Sequence, residues 1–169
     1  MKIGFNCSTL DLMHAGHITM FREEKRHCDY LIVALQTDPT IDRPDTKNRP
    51  VQSVYERFVQ VQGCKYVDEV LVYSTEEELL HILQTIHIDV RFLGDEYKTK
   101  DFTGKQWCLD NGIELHYHQR HHPFSSSGLR KRIYDAGEPK TSSYLLQNSI
   151  DDAKDIPYNT DVQKLRGDK

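Results

Sequence analysis

The chain has 169 residues, of which 37% are hydrophobic, which is enough for one domain with a buried core. Its 22 Lys and Arg against 26 Asp and Glu give a formal net charge of −4, which excludes a general binder of nucleic acid or of membrane surfaces. No apolar run approaches the roughly 18 residues of a membrane-spanning helix, and the N-terminus lacks the apolar stretch of a signal peptide, so we expect a cytoplasmic protein.

Short runs of β-branched and apolar residues alternate along the chain with helical patterns. The runs predict strands at residues 2–6, 30–35, 69–73, 90–93 and 114–118. Helices are predicted from about residue 18 and over residues 54–61, 76–86 and 104–110, with a closing helix after the serines at 125–127. This alternation predicts βαβ units and therefore an α/β fold: a Rossmann-like, doubly wound, parallel five-stranded sheet with helices on both faces.

The closing helix pattern breaks at Gly137, which Glu138 and Pro139 follow. Beyond this point the chain is polar. We therefore predict one domain over residues 1–136 and a polar C-terminal extension over residues 137–169.

Two histidines flank a glycine directly after the first predicted strand. His14 and His17 are three residues apart, so both lie on one face of a helix that begins there, where free backbone N–H groups and the positive dipole end also point. Imidazole N–H donors suit the stabilisation of negative charge on phosphoryl oxygens, and Gly16 allows a phosphate chain to approach the backbone. Capping or surface histidines are the alternative, but the position between strand and helix favours a phosphate site.

Every candidate functional segment follows a predicted strand. The segments are residues 8–17, 36–38, 94–97 and 120–128. Because the carboxyl ends of parallel strands meet at one edge of the sheet, we expect these loops to converge on a single ligand site.

The motif H-x-G-H, with Thr9 and Asp11 just ahead of it, resembles the nucleotidyltransferase superfamily, and within it most closely the glycerol-3-phosphate cytidylyltransferases. The resemblance implies transfer of CMP from CTP to a phosphorylated small alcohol, with glycerol 3-phosphate as the leading acceptor and pyrophosphate as the second product. His14 and His17 are then catalytic, whereas Gly16 and Thr9 contact the nucleotide. Asp11 orders the loop or the metal-bound triphosphate, and Mg²⁺ accompanies the triphosphate.

Two further segments resemble binding motifs of the same family. Residues 47–57 are similar to its basic loop and helix start, which makes Lys47 a catalytic candidate and Arg57 a substrate-binding one. Residues 64–70 are similar to its R-Y-V-D-E-V segment, which makes Lys65 a substrate-binding candidate, with a solvated helix end as the alternative. Lysine in place of the arginine of the family keeps the charge and loses the planar fork.

The last two segments resemble the nucleotide-binding loops of the family. Residues 94–97 are similar to G-D-D-W, so Asp95 is expected to bind nucleotide, and Tyr97 in place of tryptophan leaves the identity of the acceptor open. Residues 120–130 are similar to R-T-E-G-I-S-T-T, which implies a catalytic Arg120 and a phosphate cradle built by Ser125, Ser126 and Ser127.

The sequence predicts no metal site built by the protein itself. The four cysteines have no C-x-x-C spacing, and no carboxylate or cysteine is spaced to complete a zinc site with His116 and His118.

Three alternatives remain open at this point: an adenylyltransferase using ATP and a sugar phosphate, a non-catalytic nucleotide-binding sensor, and a doubly wound domain without transfer chemistry. The expected partners are CTP and the phosphorylated alcohol, with neither nucleic acid nor membrane, and the resemblance implies a homodimer.

Overall fold

The computed structural model describes residues 1–119 and 122–137. All five predicted strands form, and they join one parallel sheet in the order β3-β2-β1-β4-β5. The predicted Rossmann-like α/β fold is therefore confirmed. The strands are β1 Ile3–Ser8, β2 Tyr30–Gln36, β3 Glu69–Tyr73, β4 Val90–Gly94 and β5 Glu114–His118.

Strand order reverses at β1, which pairs with β2 on one side and with β4 on the other. In an open sheet of this kind, the loops after the two strands that flank the reversal leave a crevice at the carboxyl edge. The chain places the H-x-G-H segment after β1 and Gly94 at the end of β4, so both border this crevice.

Five α-helices connect and cover the strands. They are α1 Ala15–Glu24, α2 Val54–Gln62, α3 Glu76–Thr85, α4 Lys105–Asp110 and α5 Ser126–Ala136, and a 3₁₀ turn, Asp95–Lys98, follows β4. Helix α1 begins earlier than the apolar spacing predicted because the ring of His14 accepts the N–H of Gly16 and caps it. The 3₁₀ turn was not predicted.

Apolar residues fill both faces of the sheet, because side chains alternate along each strand. One face packs Val33, Leu35 and Phe92 against Phe21 of α1 and Val61 of α2. On the other face, core residues come from β1, β2, α3 and α4, namely Phe5, Ile32, Ala34, Leu79, Leu83 and Cys108. The core is therefore divided into two parts, one on each face of the sheet.

Residues Met1–Lys131 form one compact unit. Of the predicted polar extension only Gly137 lies within the described residues, so the predicted boundary at residue 136 stays a prediction. Within the described part of the chain, no helix has both the length and the apolar character needed to cross a membrane.

Helix α1 carries a carboxyl group into the core. The side chain of Glu24 is 1% exposed, its Oε1 accepts a 2.6 Å hydrogen bond from Asn6 Nδ2, and the same atom lies 3.7 Å from Nδ1 of His118. Burial raises the pKa of Glu24 well above its ordinary value, because the charged form loses its hydration, and the bond from Asn6 opposes this only in part. The folded protein therefore holds a proton there that the unfolded chain releases.

Replacement of this carboxyl by an amide tests the raised pKa. Stability that depends on the bound proton is present below about pH 4.3, the ordinary pKa of glutamate, and is lost as pH rises toward the raised pKa. Glu24→Gln keeps the acceptor for Asn6 and cannot ionise, so we expect it to be more stable than the wild type at about pH 8, with the difference shrinking toward about pH 5. Urea unfolding at these two pH values measures this.

The matched control is Glu23→Gln, which changes the neighbouring, half-buried residue. Its unfolding free energy should follow the wild-type pH profile. An equal pH slope in Glu24→Gln and in the wild type would contradict a protonated Glu24.

Candidate active site

A cavity of about 850 Å³ lies at the carboxyl edge of the sheet. It is lined from the ends of β1, β2, β4 and β5 and from α1, so the loops of different strands do share one site. The predicted site residues in its lining are Thr9, His14, Gly16, His17, Lys47, Asp95 and Tyr97.

His14 and His17 form a stacked pair at the start of α1. Their ring centroids are 4.0 Å apart and the ring planes differ by 19°. Nδ1 of His14 accepts the Gly16 N–H at 3.0 Å, and Nδ1 of His17 accepts the His14 N–H at 3.3 Å. These bonds assign the proton of each neutral ring to Nε2, so each ring keeps an N–H donor on its remaining nitrogen.

Gly16 allows three groups to meet at this helix start. A Cβ at this position would lie 2.6 Å from Cε1 of His122 and 2.8 Å from Cε1 of His14. Any larger residue would therefore displace an imidazole ring that lines the cavity. His122, to which the sequence assigned no role, is part of the same lining.

The loop between β1 and α1 is strained. Leu10 has φ 53° and Leu12 has φ 52°, a left-handed backbone that costs leucine about 1–3 kcal/mol per residue. Leu10 is buried in the core, and the N–H of Leu12 donates to Oε1 of Gln52 at 2.7 Å. The burial of Leu10 and the hydrogen bond to Gln52 therefore hold the backbone that leads into His14 in this conformation.

Arg57 supports this loop, and its predicted substrate-binding role stays a prediction. The side chain is 1% exposed and is absent from the cavity lining. Its guanidinium donates to the carbonyl oxygens of Thr9 at 2.8 Å, of Gln36 at 2.7 Å and of Thr37 at 2.6 Å, and Nε donates to Gln52 O at 3.2 Å. Carbonyl oxygens at or just after the ends of β1 and β2 thus accept hydrogen bonds from N–H groups of Arg57 that were expected to face a phosphate.

Asp11 is also turned toward the protein. Its carboxylate accepts the N–H groups of Val51 at 3.0 Å and of Gln52 at 2.9 Å, and it pairs with Arg130 at 2.5 Å. The residue is buried and does not line the cavity. This geometry suits the ordering of the loop, one of its two predicted roles, and leaves no oxygen directed at a metal-bound triphosphate.

The serines before α5 lie outside the cavity lining. Ser125 caps the helix by accepting the N–H of Gly128 at 3.0 Å, Ser126 donates to the carbonyl of Asp11 at 3.1 Å, and Ser127 is exposed. Lys65 is exposed and its ammonium group lies 5.1 Å from the ring centroid of Tyr66, again away from the cavity. The predicted Arg120 lies outside the described residues.

The cavity contains a second polar group, on the opposite face of the sheet from α1. Its members are Gln36, Arg43, Tyr73, Glu76, Arg91 and Thr103. Sequence reasoning included only Gln36, in the candidate segment 36–38, and missed the rest. Arg91 gives a signal in the sequence, because it is a charged residue within an otherwise apolar strand. Tyr73 ends a predicted strand, and the other three occur in loop or helix patterns that are typical of solvated residues.

Burial also changes the two phenols in this part of the cavity. It raises the pKa of Tyr73 and the pKa of Tyr97, since both phenolate forms would lose their hydration. Both side chains therefore stay protonated at neutral pH and can donate a hydrogen bond.

No group of three or more His, Cys, Asp or Glu that could hold a metal ion occurs among residues 1–119 and 122–137. The ring of His116 packs instead against the rings of His27 and Phe92 at centroid distances of 4.2 and 5.6 Å. Burial, more than the nearby His27, lowers the pKa of His116.

The reversal in strand order and the paired histidines beside it define a Rossmann-like α/β protein with a phosphate-type site. Within that class, the chain belongs to the cytidylyltransferase-like family, whose model matches residues 7–132. The family predicted from H-x-G-H is thereby confirmed.

Two curated relatives illustrate the similarity. An ethanolamine-phosphate cytidylyltransferase of Dictyostelium discoideum is 30% identical over 160 residues, which are 93% of this chain and 43% of that protein. The bifunctional protein HldE of Rhodospirillum rubrum is 32% identical over 112 residues, covering 66% of this chain and 22% of that protein. The chain thus spans less than half the length of either relative. Closeness to the glycerol-3-phosphate cytidylyltransferases stays a prediction.

Solved structures support the fold. The lipopolysaccharide core biosynthesis protein of Thermoplasma volcanium superposes with a TM-score of 0.57 at 21% identity, over 73% of this chain and 99% of that one. A pantoate-beta-alanine ligase of Francisella tularensis gives 0.51 at 17% identity, over 85% and 75%.

Arg57→Lys tests the supporting role of Arg57. A lysine ammonium cannot span the carbonyls of Thr9, Gln36 and Thr37, so buried acceptors lose their donors. We expect the free energy of unfolding to fall by about 2–4 kcal/mol in urea titrations.

Arg49→Lys is the matched control, because the side chain of Arg49 is 86% exposed and its unfolding free energy should stay within about 0.5 kcal/mol of the wild type. An Arg57→Lys protein of wild-type stability with a raised KM for a phosphorylated substrate would support the substrate-binding role instead.

Proposed function

We propose that this chain transfers CMP from CTP to a phosphorylated small alcohol, giving a CDP-alcohol and pyrophosphate. The observation that carries the proposal is the stacked pair of His14 and His17, each with an Nε2 donor, at the N-terminus of α1 in the cavity lining. Membership in the cytidylyltransferase-like family supports CTP as the nucleotide.

The reaction needs charge stabilisation more than a protein nucleophile. An oxygen of the acceptor phosphate attacks the α-phosphorus of CTP, the new O–P bond forms, and the bond from the α-phosphorus to the bridging oxygen breaks. That electron pair leaves with pyrophosphate. His14 and His17 donate hydrogen bonds to phosphoryl oxygens as charge develops, and Thr9 and Lys47, which share the cavity lining, bind phosphate oxygens. Arg120 is proposed from the motif alone.

We propose that Mg²⁺ is needed together with the triphosphate, whose charge a divalent cation would partly neutralise. Since no group of three or more His, Cys, Asp or Glu within the described residues could hold a metal ion, triphosphate oxygens and water would supply most of its ligands. Asp95 is already paired with Lys98, and we retain it as a nucleotide-binding candidate. Tyr97 is retained as a substrate-binding candidate.

Glycerol 3-phosphate remains the leading proposed acceptor. Ethanolamine phosphate is the second candidate, because the Dictyostelium relative is named for it. A homodimer is also proposed; Tyr55 and Val59 on α2, and Val72 on the edge strand β3, are exposed apolar residues that such an interface would cover.

Pyrophosphate release with Mg²⁺ tests the proposal directly. CTP and ATP are each paired with glycerol 3-phosphate, ethanolamine phosphate and a sugar phosphate. Release with CTP and one phosphorylated alcohol is the expected result and names the acceptor. Release with ATP alone would replace the proposal by adenylyl transfer, and triphosphate binding without release from any pair would favour the sensor.

The histidine variants test the mechanism. We expect His14→Ala and His17→Ala each to lower kcat by about 10²–10³-fold, because each removes one donor to the transition state. His81→Ala, which changes an exposed histidine on α3, is the control and should keep the wild-type rate. A loss of less than about threefold in both cavity variants would contradict the assigned role.

A further inference from the structure

Arg91 carries a buried charge that the reaction steps described so far do not use. Its side chain is 2% exposed and lines the cavity. Its terminal nitrogens contact the carbonyl of Thr103 at 2.6 Å and two sulfur atoms, Cys7 Sγ at 3.7 Å and Cys108 Sγ at 3.9 Å. Over residues 1–119 and 122–137 no carboxylate forms an ion pair with it.

A buried guanidinium without a counter-charge is expensive to maintain, since desolvation of one ion costs several kcal/mol. The hydrogen bond of Arg91 to the Thr103 carbonyl and the position of its guanidinium 5.0 Å from the ring centroid of Phe102 supply no negative charge. An anion that enters the cavity would supply the missing partner.

Two neighbours of the cavity present the same kind of unused donor. Gln36 is 2% exposed, its Oε1 accepts from Arg43 at 3.0 Å, and its Nε2 has no hydrogen-bond partner in the part of the chain that the structure describes. Nε of Arg43 and Nε of Arg91 are unpartnered in the same sense. We refer to Gln36, Arg43 and Arg91 as the donor pocket.

The acceptor atoms beside the donor pocket are already used. One oxygen of Glu76 pairs with Arg43 at 2.9 Å, and the other accepts from the Thr103 hydroxyl at 2.5 Å. The negative charge of Glu76 neutralises the positive charge of Arg43, and the positive charge of Arg91 has no such partner in the donor pocket. Unused donors and one surplus positive charge match a ligand group that only accepts hydrogen bonds, which is an oxyanion.

The donor pocket lies on the other face of the sheet from the histidines. Phe92 packs in the core beside α1, so its neighbour Arg91 points to the face that carries Cys7 and Cys108. In an in-line displacement the attacking oxygen approaches the α-phosphorus from the side opposite the leaving pyrophosphate. If α1 and its histidines hold the leaving side, the attacking phosphate enters from the face of Arg91.

We propose that the donor pocket binds the phosphate of the acceptor, a phosphomonoester, and so sets which face of the sheet the acceptor occupies. This inference rests on the proposed function for the identity of the acceptor, whereas binding of an oxyanion by Arg91 does not depend on turnover. The shared chemistry with the phosphates of CTP means that the two sources must be separated by experiment.

Arg91→Met is the first variant, because methionine fills a similar space without charge. In thermal unfolding without ligand we expect an unchanged or higher Tm. The Tm increase that glycerol 3-phosphate, ethanolamine phosphate or inorganic phosphate gives the wild type should be lost, while the increase from CTP with Mg²⁺ should remain. KM for the acceptor should rise about 10–100-fold with kcat changed much less.

Gln36→Glu is the second variant and guards against a folding defect at Arg91. It keeps the acceptor for Arg43 and replaces the unused N–H donor by a negative oxygen, so it should also abolish the phosphate-dependent Tm increase. Gln60→Glu, on the exposed face of α2, adds the same charge outside the cavity and should leave the increase intact.

Three results would overturn the proposal. The first is a wild type whose Tm no phosphate compound raises. The second is an Arg91→Met protein with a much lower Tm together with a Gln36→Glu protein that keeps the phosphate response, which would make Arg91 structural. The third is an Arg91→Met protein whose Tm CTP with Mg²⁺ no longer raises, while the phosphate compounds still raise it. Loss of the phosphate response in both variants without pyrophosphate release from any substrate pair would support the subsite and contradict CMP transfer.

Discussion

The buried guanidinium of Arg57 is the contact on which the arrangement of the site depends. A loop with two left-handed leucines, Leu10 and Leu12, must hold its shape against about 1–3 kcal/mol of strain per residue. Arg57 fixes the start of that loop through the carbonyl of Thr9. The same guanidinium also holds the carboxyl end of β2, through the carbonyls of Gln36 and Thr37. Because the loop leads directly into His14, the position of the start of α1 depends on Arg57, which is itself buried. The strained backbone at Leu10 and Leu12 persists because the buried contacts of Arg57 hold the loop in place.

Asp11 extends the same principle to more distant segments. Its carboxylate joins the N–H groups of Val51 and Gln52, 40 residues along the chain, to Arg130, which is 119 residues away. The carboxylate itself is buried, and its removal would take the hydrogen-bond acceptor away from all three partners. One acidic residue thus ties the segment before α2 and the start of α5 to the loop that carries the histidines. A network of this kind explains how loops from separate βαβ units keep a common geometry.

The sequence predicted the sheet well because apolar periodicity is a local property: residues 69–73 and 114–118 are strands as predicted. It also predicted that the loops carrying His14, His17 and Asp95 share one edge, because topology brings parallel strand ends together. It did not predict the contacts of Arg57 with backbone carbonyls, since a motif indicates that a basic residue is present and not which acceptors its guanidinium meets. The burial of Glu24 was equally invisible, because an acidic residue in a helix pattern is typically exposed and only the tertiary contact with Asn6 shows otherwise.

The alternation of side chains along the strands divides the site into two chemically different halves. The face of α1 carries the imidazoles of His14 and His17. Backbone N–H groups orient both rings, and imidazole donors of this kind suit any nucleoside triphosphate. On the other side stand Arg91 and Gln36, whose surroundings come from β2, α3 and the segment before α4 and are independent of the H-x-G-H segment. Residues on this second face can change without disturbing the first, because the sheet separates them. We therefore propose that the family motif specifies the transfer chemistry, and that selection of the partner molecule depends on strand positions outside that motif.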